Sequence, residues 1–202
     1  VEAEVRRGGR TYVQEYERGK ATTELKDIGI AIGTGTRIKF KPDHQIFKDL
    51  DFKYDTLEDR LRELAFLNKS LSFTLTDDRT GKSEEFKYEG GIAEFVKHLN
   101  RNNDVIHPPI YIEHSVGEIK VECALQYTRE DEERVRCYAN NAYNPVGGTH
   151  LSGFRAALTR TVGAYGEKLD LFKNVRPIGE DFRTGVTAVV SIQHPEPQFE
   201  SQ

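Results

Sequence analysis

A chain of 202 residues that is 37% hydrophobic and 31% charged carries enough apolar material to bury a core and too much to stay disordered. No apolar run approaches the roughly 18 residues that cross a bilayer as a helix, and no signal peptide is visible. The net charge of −4 excludes the broad basic field of a dedicated nucleic-acid-binding domain, so contact with DNA would need a local basic patch.

Along the chain, 1–5 and 11–17 alternate in polarity around Arg7-Gly8-Gly9-Arg10. Two glycines between alternating runs predict a hairpin turn. The segment 28–40 is punctuated by Gly29, Gly33 and Gly35 and ends in a strand pattern, Thr36-Arg37-Ile38-Lys39-Phe40, stopped by Pro42. Asp55-Thr56-Leu57-Glu58 opens a helix in which Asp55 is the expected cap and Glu58 its capping-box partner. Leu57, Leu61, Leu64, Ala65 and the Phe66-Leu67 pair form its apolar stripe, with Arg60, Arg62 and Glu63 largely opposite.

A strand over 71–76, a turn over 77–82 and a returning strand over 85–88 follow. Gly90-Gly91 precedes a short helix over 92–99, and Pro108-Pro109 breaks the chain. Strands are predicted over 110–113, 118–127 and 134–139, the last two parted by the acidic turn 129–133. A helix over 149–165 comes next. No element is assigned to 168–180, and 184–192 reads as a buried final strand ended by Pro195 and Pro197. Strands and helices mix without βαβ alternation, which predicts an α+β fold. Cys123 and Cys137 sit in strand-like runs and read as small buried hydrophobes of a protein in a reducing cytoplasm.

Few constellations carry chemistry. Gly147-Gly148-Thr149-His150 stands at a helix start, where two glycines let backbone approach closely and Thr149 is the expected N-cap. A tight packed turn and an anion site both fit it. Arg155 and Arg160 lie on that helix and face different ways. The six histidines (His44, His98, His107, His114, His150, His194) have no metal-ligand spacing. Gly33-Thr34-Gly35-Thr36 lacks the Gly-Lys ending of a phosphate loop and leads into a strand. No nucleophile elbow or triad is present, so no catalytic or metal-binding residue is assigned.

Ordered landmarks nonetheless run through the whole chain: Thr34-Gly35-Thr36 with Phe40-Lys41-Pro42-Asp43; Leu61-Arg62-Glu63-Leu64-Ala65-Phe66-Leu67-Asn68-Lys69; Tyr88-Glu89-Gly90-Gly91-Ile92; Asn140-Asn141 with Gly147-Gly148-Thr149-His150 and Gly153-Phe154-Arg155; Gly179-Glu180-Asp181 with Arg183; and Pro195 to Gln202. In these the chain resembles the second domain of the bacterial gyrase B family, the type IIA topoisomerases. It departs from that pattern at Ala142-Tyr143-Asn144-Pro145-Val146. The resemblance implies a single transducer domain over 1–202, excised from a longer polypeptide. It implies a ribosomal-protein-S5-like α+β fold with a left-handed βαβ crossover and a mixed sheet covered by helices on one face.

It further implies an ATP-hydrolysing type II DNA topoisomerase as the parent. ATP and Mg2+ would be held by an adjacent GHKL ATPase domain, the gyrase A protein joined in an A2B2 complex, and double-stranded DNA passed through. Gln202 matches a family glutamine that senses the ATP γ-phosphate, and Arg155 a family arginine facing the DNA cavity. The 202-residue piece alone is expected to be a monomeric cytoplasmic protein, inactive, with no cofactor of its own and no membrane contact. The equivalent domain of topoisomerase IV, a stand-alone S5-like nucleic-acid-binding module, and a small anion-binding protein using the Gly148-Thr149-His150 helix start remain rival readings.

Overall fold

The protein is described by a computed structural model covering residues 1–173 and 175–199. These fall into two compact units, 1–53 and the chain from Tyr54 onward.

The first unit is one β-sheet. β1 (Glu2–Arg7) and β2 (Arg10–Glu17) form the expected antiparallel hairpin. Its turn residues Gly8 and Gly9 have φ of 62° and 77°, the left-handed pair that a two-residue hairpin requires. β3 (Lys20–Ala21) and β4 (Lys26–Ile30) both pair with β2, and β5 (Gly35–Lys39) pairs with β1. Thus the glycine-threonine run at 33–36 feeds a strand. No residue of this unit is buried; Ile30 and Ile32 are 85% and 95% exposed.

The second unit is built on a mixed five-stranded sheet. Its strands are β8 (Ile110–Val116), β9 (Ile119–Tyr127), β10 (Arg134–Ala139), β11 (Ala142–Tyr143) and β12 (Val186–Gln193), in the order β11-β10-β12-β9-β8. Only β10 and β12 run parallel. They are joined through the long helix α3 (Thr149–Lys168), a βαβ crossover inside an otherwise antiparallel sheet. A separate hairpin, β6 (Phe73–Asp77) with β7 (Lys82–Phe86), lies against α1 (Tyr54–Leu67). The remaining helix is α2 (Ile92–Leu99).

The expectation of helices on one face is corrected. α1 and α2 cover one side of the sheet, packing Phe66, Leu67, Ile92, Phe95 and Val96 on Ala124, Tyr138 and Val189. α3 covers the other, with Leu151, Phe154 and Leu158 on Cys123, Leu125, Cys137, Val186 and Val190. The cause lies in β12, six consecutive residues of which are buried. A strand without a polar face needs cover on both sides.

Local chemistry also departs from expectation around α1. The helix begins at Tyr54, so Asp55 sits inside its first turn. Glu58 turns to Arg62 and Lys82, its Oε2 3.0 Å from Lys82 Nζ, and these cations hold its carboxyl below the usual range. Arg62 lies over the Phe86 ring at 5.4 Å, and Glu63 accepts from Arg136 of β10. The charged side of α1 is therefore its seam with β7 and β10, where long stems cover apolar surface.

Below the α2 end, Asn100 is 2% exposed. Its Nδ2 donates to Gln126 at 2.9 Å, and its Oδ1 accepts from Thr187 Oγ1 at 2.8 Å. Gln126 in turn donates to the His107 carbonyl at 2.7 Å. His107 Nε2 accepts from the Tyr127 backbone, so the neutral ring carries its proton on Nδ1 and donates to the Pro108 carbonyl. This satisfied polar chain fixes α2 and the Pro108-Pro109 break to the sheet.

Cys123 and Cys137 are free and buried, as expected. Both register with Val190 from opposite sides. Two strand spacings, roughly 9–10 Å, part them, beyond the reach of a disulfide. Burial pushes the Cys137 thiol up to about 11 and that of Cys123 up to about 12. At pH 9 their alkylation should be at least ~100-fold slower in the native chain than in urea, where thiols ionise near ~8.5. Equal rates would contradict the burial. Because the folded chain holds these protons longer, the thiols stabilise it below pH ~8.5, and that contribution fades as pH rises toward 11–12.

Candidate functional site

The site grows from the turn after β10. Asn140 and Asn141 have φ of 47° and 64°, and Ala139 pairs with Ala142 across them. Asparagine tolerates the left-handed region, so the pair closes a two-residue hairpin. Ala142 and Tyr143, the first two residues of the divergent stretch 142–146 noted in the sequence, are its return strand β11.

The asparagine side chains make this turn a junction. Asn140 Nδ2 donates to the His194 carbonyl at 2.9 Å, and its Oδ1 accepts from His194 N–H at 2.8 Å. Its backbone N–H donates to the Ile192 carbonyl at 2.9 Å. The point where the chain leaves β12 is thus held by three bonds from one residue. Asn141 donates to Asn68 Oδ1 at 3.1 Å, and its carbonyl accepts from Arg60 at 3.0 Å. Asn68 donates to the Leu64 carbonyl, tying its own end to α1. One turn therefore joins the end of α1, the end of β10 and the exit of β12.

Next comes the helix start. Gly147 has φ of 72°, and a Cβ there would stand 2.2 Å from Leu151 Cδ2; backbone and packing both demand glycine. Gly148, in extended conformation, is the N-cap and offers no side-chain bond. This corrects the expectation for Thr149, which is the first helical residue. His150 is half-buried, and burial holds its imidazole below the usual histidine range. It lines a crevice of ≈ 450 Å³ beside Phe154, Cys123 and Val190. Gly147 and Gly148 thus lead the chain directly into α3, whose first two residues are Thr149 and His150.

Arg155 lies on the outer part of α3. Its Nε donates to Glu133 Oε1 at 2.8 Å and its Nη2 to Oε2 at 3.0 Å. Arg183 Nε lies 3.5 Å from the same Oε2. Arg160 is exposed, with no ion-pair partner among the described residues. Gln202 lies outside the described residues. No group of three His, Cys, Asp or Glu stands together as a metal site among those described. The roles of Asn140, Glu133 and Arg183 escape sequence reading. Only Asn140 had a signal, as an asparagine pair between two strand-like runs.

A mixed sheet with one parallel crossover, clamped at the exit of its central strand, defines an α+β domain. The family model for DNA gyrase B matches residues 91–202, and the chain belongs to that family. It is 48% identical over its whole length to the DNA gyrase B protein of Clostridium acetobutylicum, covering 32% of that protein. The figures are the same for Halalkalibacterium halodurans. It thus spans about a third of these curated relatives. Among solved structures it matches the 43K ATPase domain of Thermus thermophilus gyrase B with a TM-score of 0.86 at 37% identity, over 99% of this chain and 56% of that one. The topoisomerase IV ATP-binding domain of Francisella tularensis gives a TM-score of 0.83 at 26% identity, over 100% of this chain and 56% of that one.

Proposed function

We propose that residues 1–202 act as the transducer of a gyrase B protein, turning ATP binding next door into closure of a DNA clamp. The observation that carries this is the Asn140 clamp on His194. A pull on the tail beyond β12, which runs through Pro195 and Pro197 to Gln202, is delivered to β12, β10 and α1 at once. Gln202 would bond the γ-phosphate only while it is present. A charge-assisted bond of that kind contributes about 1.5–3 kcal/mol, enough to bias a rigid-body rotation. The uncovered isoleucines of the first unit support a further face for the adjacent ATPase domain. ATP and Mg2+ belong to that domain. DNA and the gyrase A protein, in an A2B2 complex that supercoils DNA, belong to the whole enzyme.

Titration of this chain with ATP and Mg2+ should show neither turnover nor measurable affinity at millimolar nucleotide. Hydrolysis by the isolated chain would sink the proposal.

A further inference from the structure

We propose that Glu133 is a built-in competitor for DNA phosphate, and that Arg155 and Arg183 together form the phosphate site it occupies. The inference rests on the reading that Arg155 faces DNA, and adds to it a second arginine and a carboxylate that holds both.

The geometry is that of one anion between two guanidinium groups. Arg155 takes both carboxylate oxygens, at 2.8 and 3.0 Å. Arg183 stands at 3.5 Å from Oε2, and its Nε–H is buried with no hydrogen-bond partner. Glu133 is tethered just before β10 and is aligned with the Arg155 fork, so it leaves the second donor unused. A buried donor without an acceptor is costly to maintain. A phosphodiester is untethered, and its oxygens diverge tetrahedrally, so it can accept from both arginines.

The place is reachable. The Arg155 side chain is 44% exposed, and those of Glu133 and Arg183 are 20% and 21% exposed. Arg155, the most open of the three, gives an incoming phosphate its first contact, and a phosphate that then replaces the carboxylate exchanges one charge-assisted pairing for another. The rest of the acidic turn, Glu130, Asp131 and Glu132, then discourages DNA until Glu133 swings away. This is how a chain of net charge −4 can hold a phosphate site without binding DNA indiscriminately.

The test is binding of a 30-base-pair duplex to the 202-residue chain at low salt. Glu133→Gln should bind about 5–10-fold tighter, with a salt slope steeper by roughly 0.9 for each arginine engaged. Glu133→Ala should give the same gain, which makes the result independent of glutamine's own bonding. Adding Arg155→Gln or Arg183→Gln to Glu133→Gln should each remove about one unit of slope. Unchanged binding in Glu133→Gln, when Arg155→Gln alone weakens it, overturns the competitor role and leaves the DNA-facing arginine standing. Indifference to every one of these substitutions would remove the Arg155 reading itself. A gain that survives loss of both arginines would mean a general charge effect and overturn the site. Inorganic phosphate at constant ionic strength should weaken duplex binding to Glu133→Gln but not to Glu133→Gln with both arginines replaced; equal weakening of the two would also overturn the site.

Discussion

Gly185→Ala should destabilise the unit from Tyr54 onward by about 2–5 kcal/mol, the sum of a left-handed backbone penalty and an overpacking cost. Gly185 has φ of +76°, and a Cβ there would lie 2.6 Å from the Thr128 carbonyl oxygen and 2.8 Å from that of Glu130. Both obstacles are backbone. Neither can retreat, because Thr128 N–H donates back to the Gly185 carbonyl at 2.8 Å, and Val186, the next residue, begins the fully buried run of β12. Gly81 is the control. Its φ is +73°, with nothing within 4 Å of a Cβ, so Gly81→Ala should cost only about 1–2 kcal/mol. Urea midpoints of the two variants decide it; equal losses would show that the contact at Gly185 yields.

The fold was largely legible because its signals are local. The glycine-glycine hairpin, the stripe of α1, the break at Pro108-Pro109 and the β-branched run of β12 each state their own structure. Features that depend on distant residues were not. Asp55 and Glu58 spell a cap, yet Glu58 is claimed by Arg62 and by Lys82 across the β6–β7 hairpin. The stretch after α3 has no period, because it is placed by turn hydrogen bonds and by Phe172, which packs against Phe182 and sits where a Cβ on Gly166 would be, 2.1 Å away. The Phe172 contact also explains a glycine inside a helix, despite a propensity cost of about 1 kcal/mol.

The candidate site was half legible. Gly147 and Gly148 announce a turn, and Arg155 is conspicuous, but nothing in the chain pairs it with Glu133. That carboxylate lies in an acidic turn that reads as a solvated surface, and only the crossover from β10 through α3 brings the two together. The Asn140-Asn141 pair had a rule to be read by, the left-handed two-residue hairpin, whereas its bonds to His194 depend on β12 lying beside β10.

Asn140→Gly in the whole enzyme proposed above, assayed for supercoils introduced per ATP hydrolysed, tests the proposed coupling role most directly. Glycine keeps the left-handed turn at φ 47° without strain and deletes only the two side-chain bonds to His194. Each is worth about 0.5–1.5 kcal/mol, so together they match a coupling energy of about 1–3 kcal/mol. ATP turnover should stay within about twofold of the unsubstituted enzyme while supercoils per ATP fall about tenfold. An unchanged ratio, whether both rates hold or both decline in step, would contradict transmission through β12.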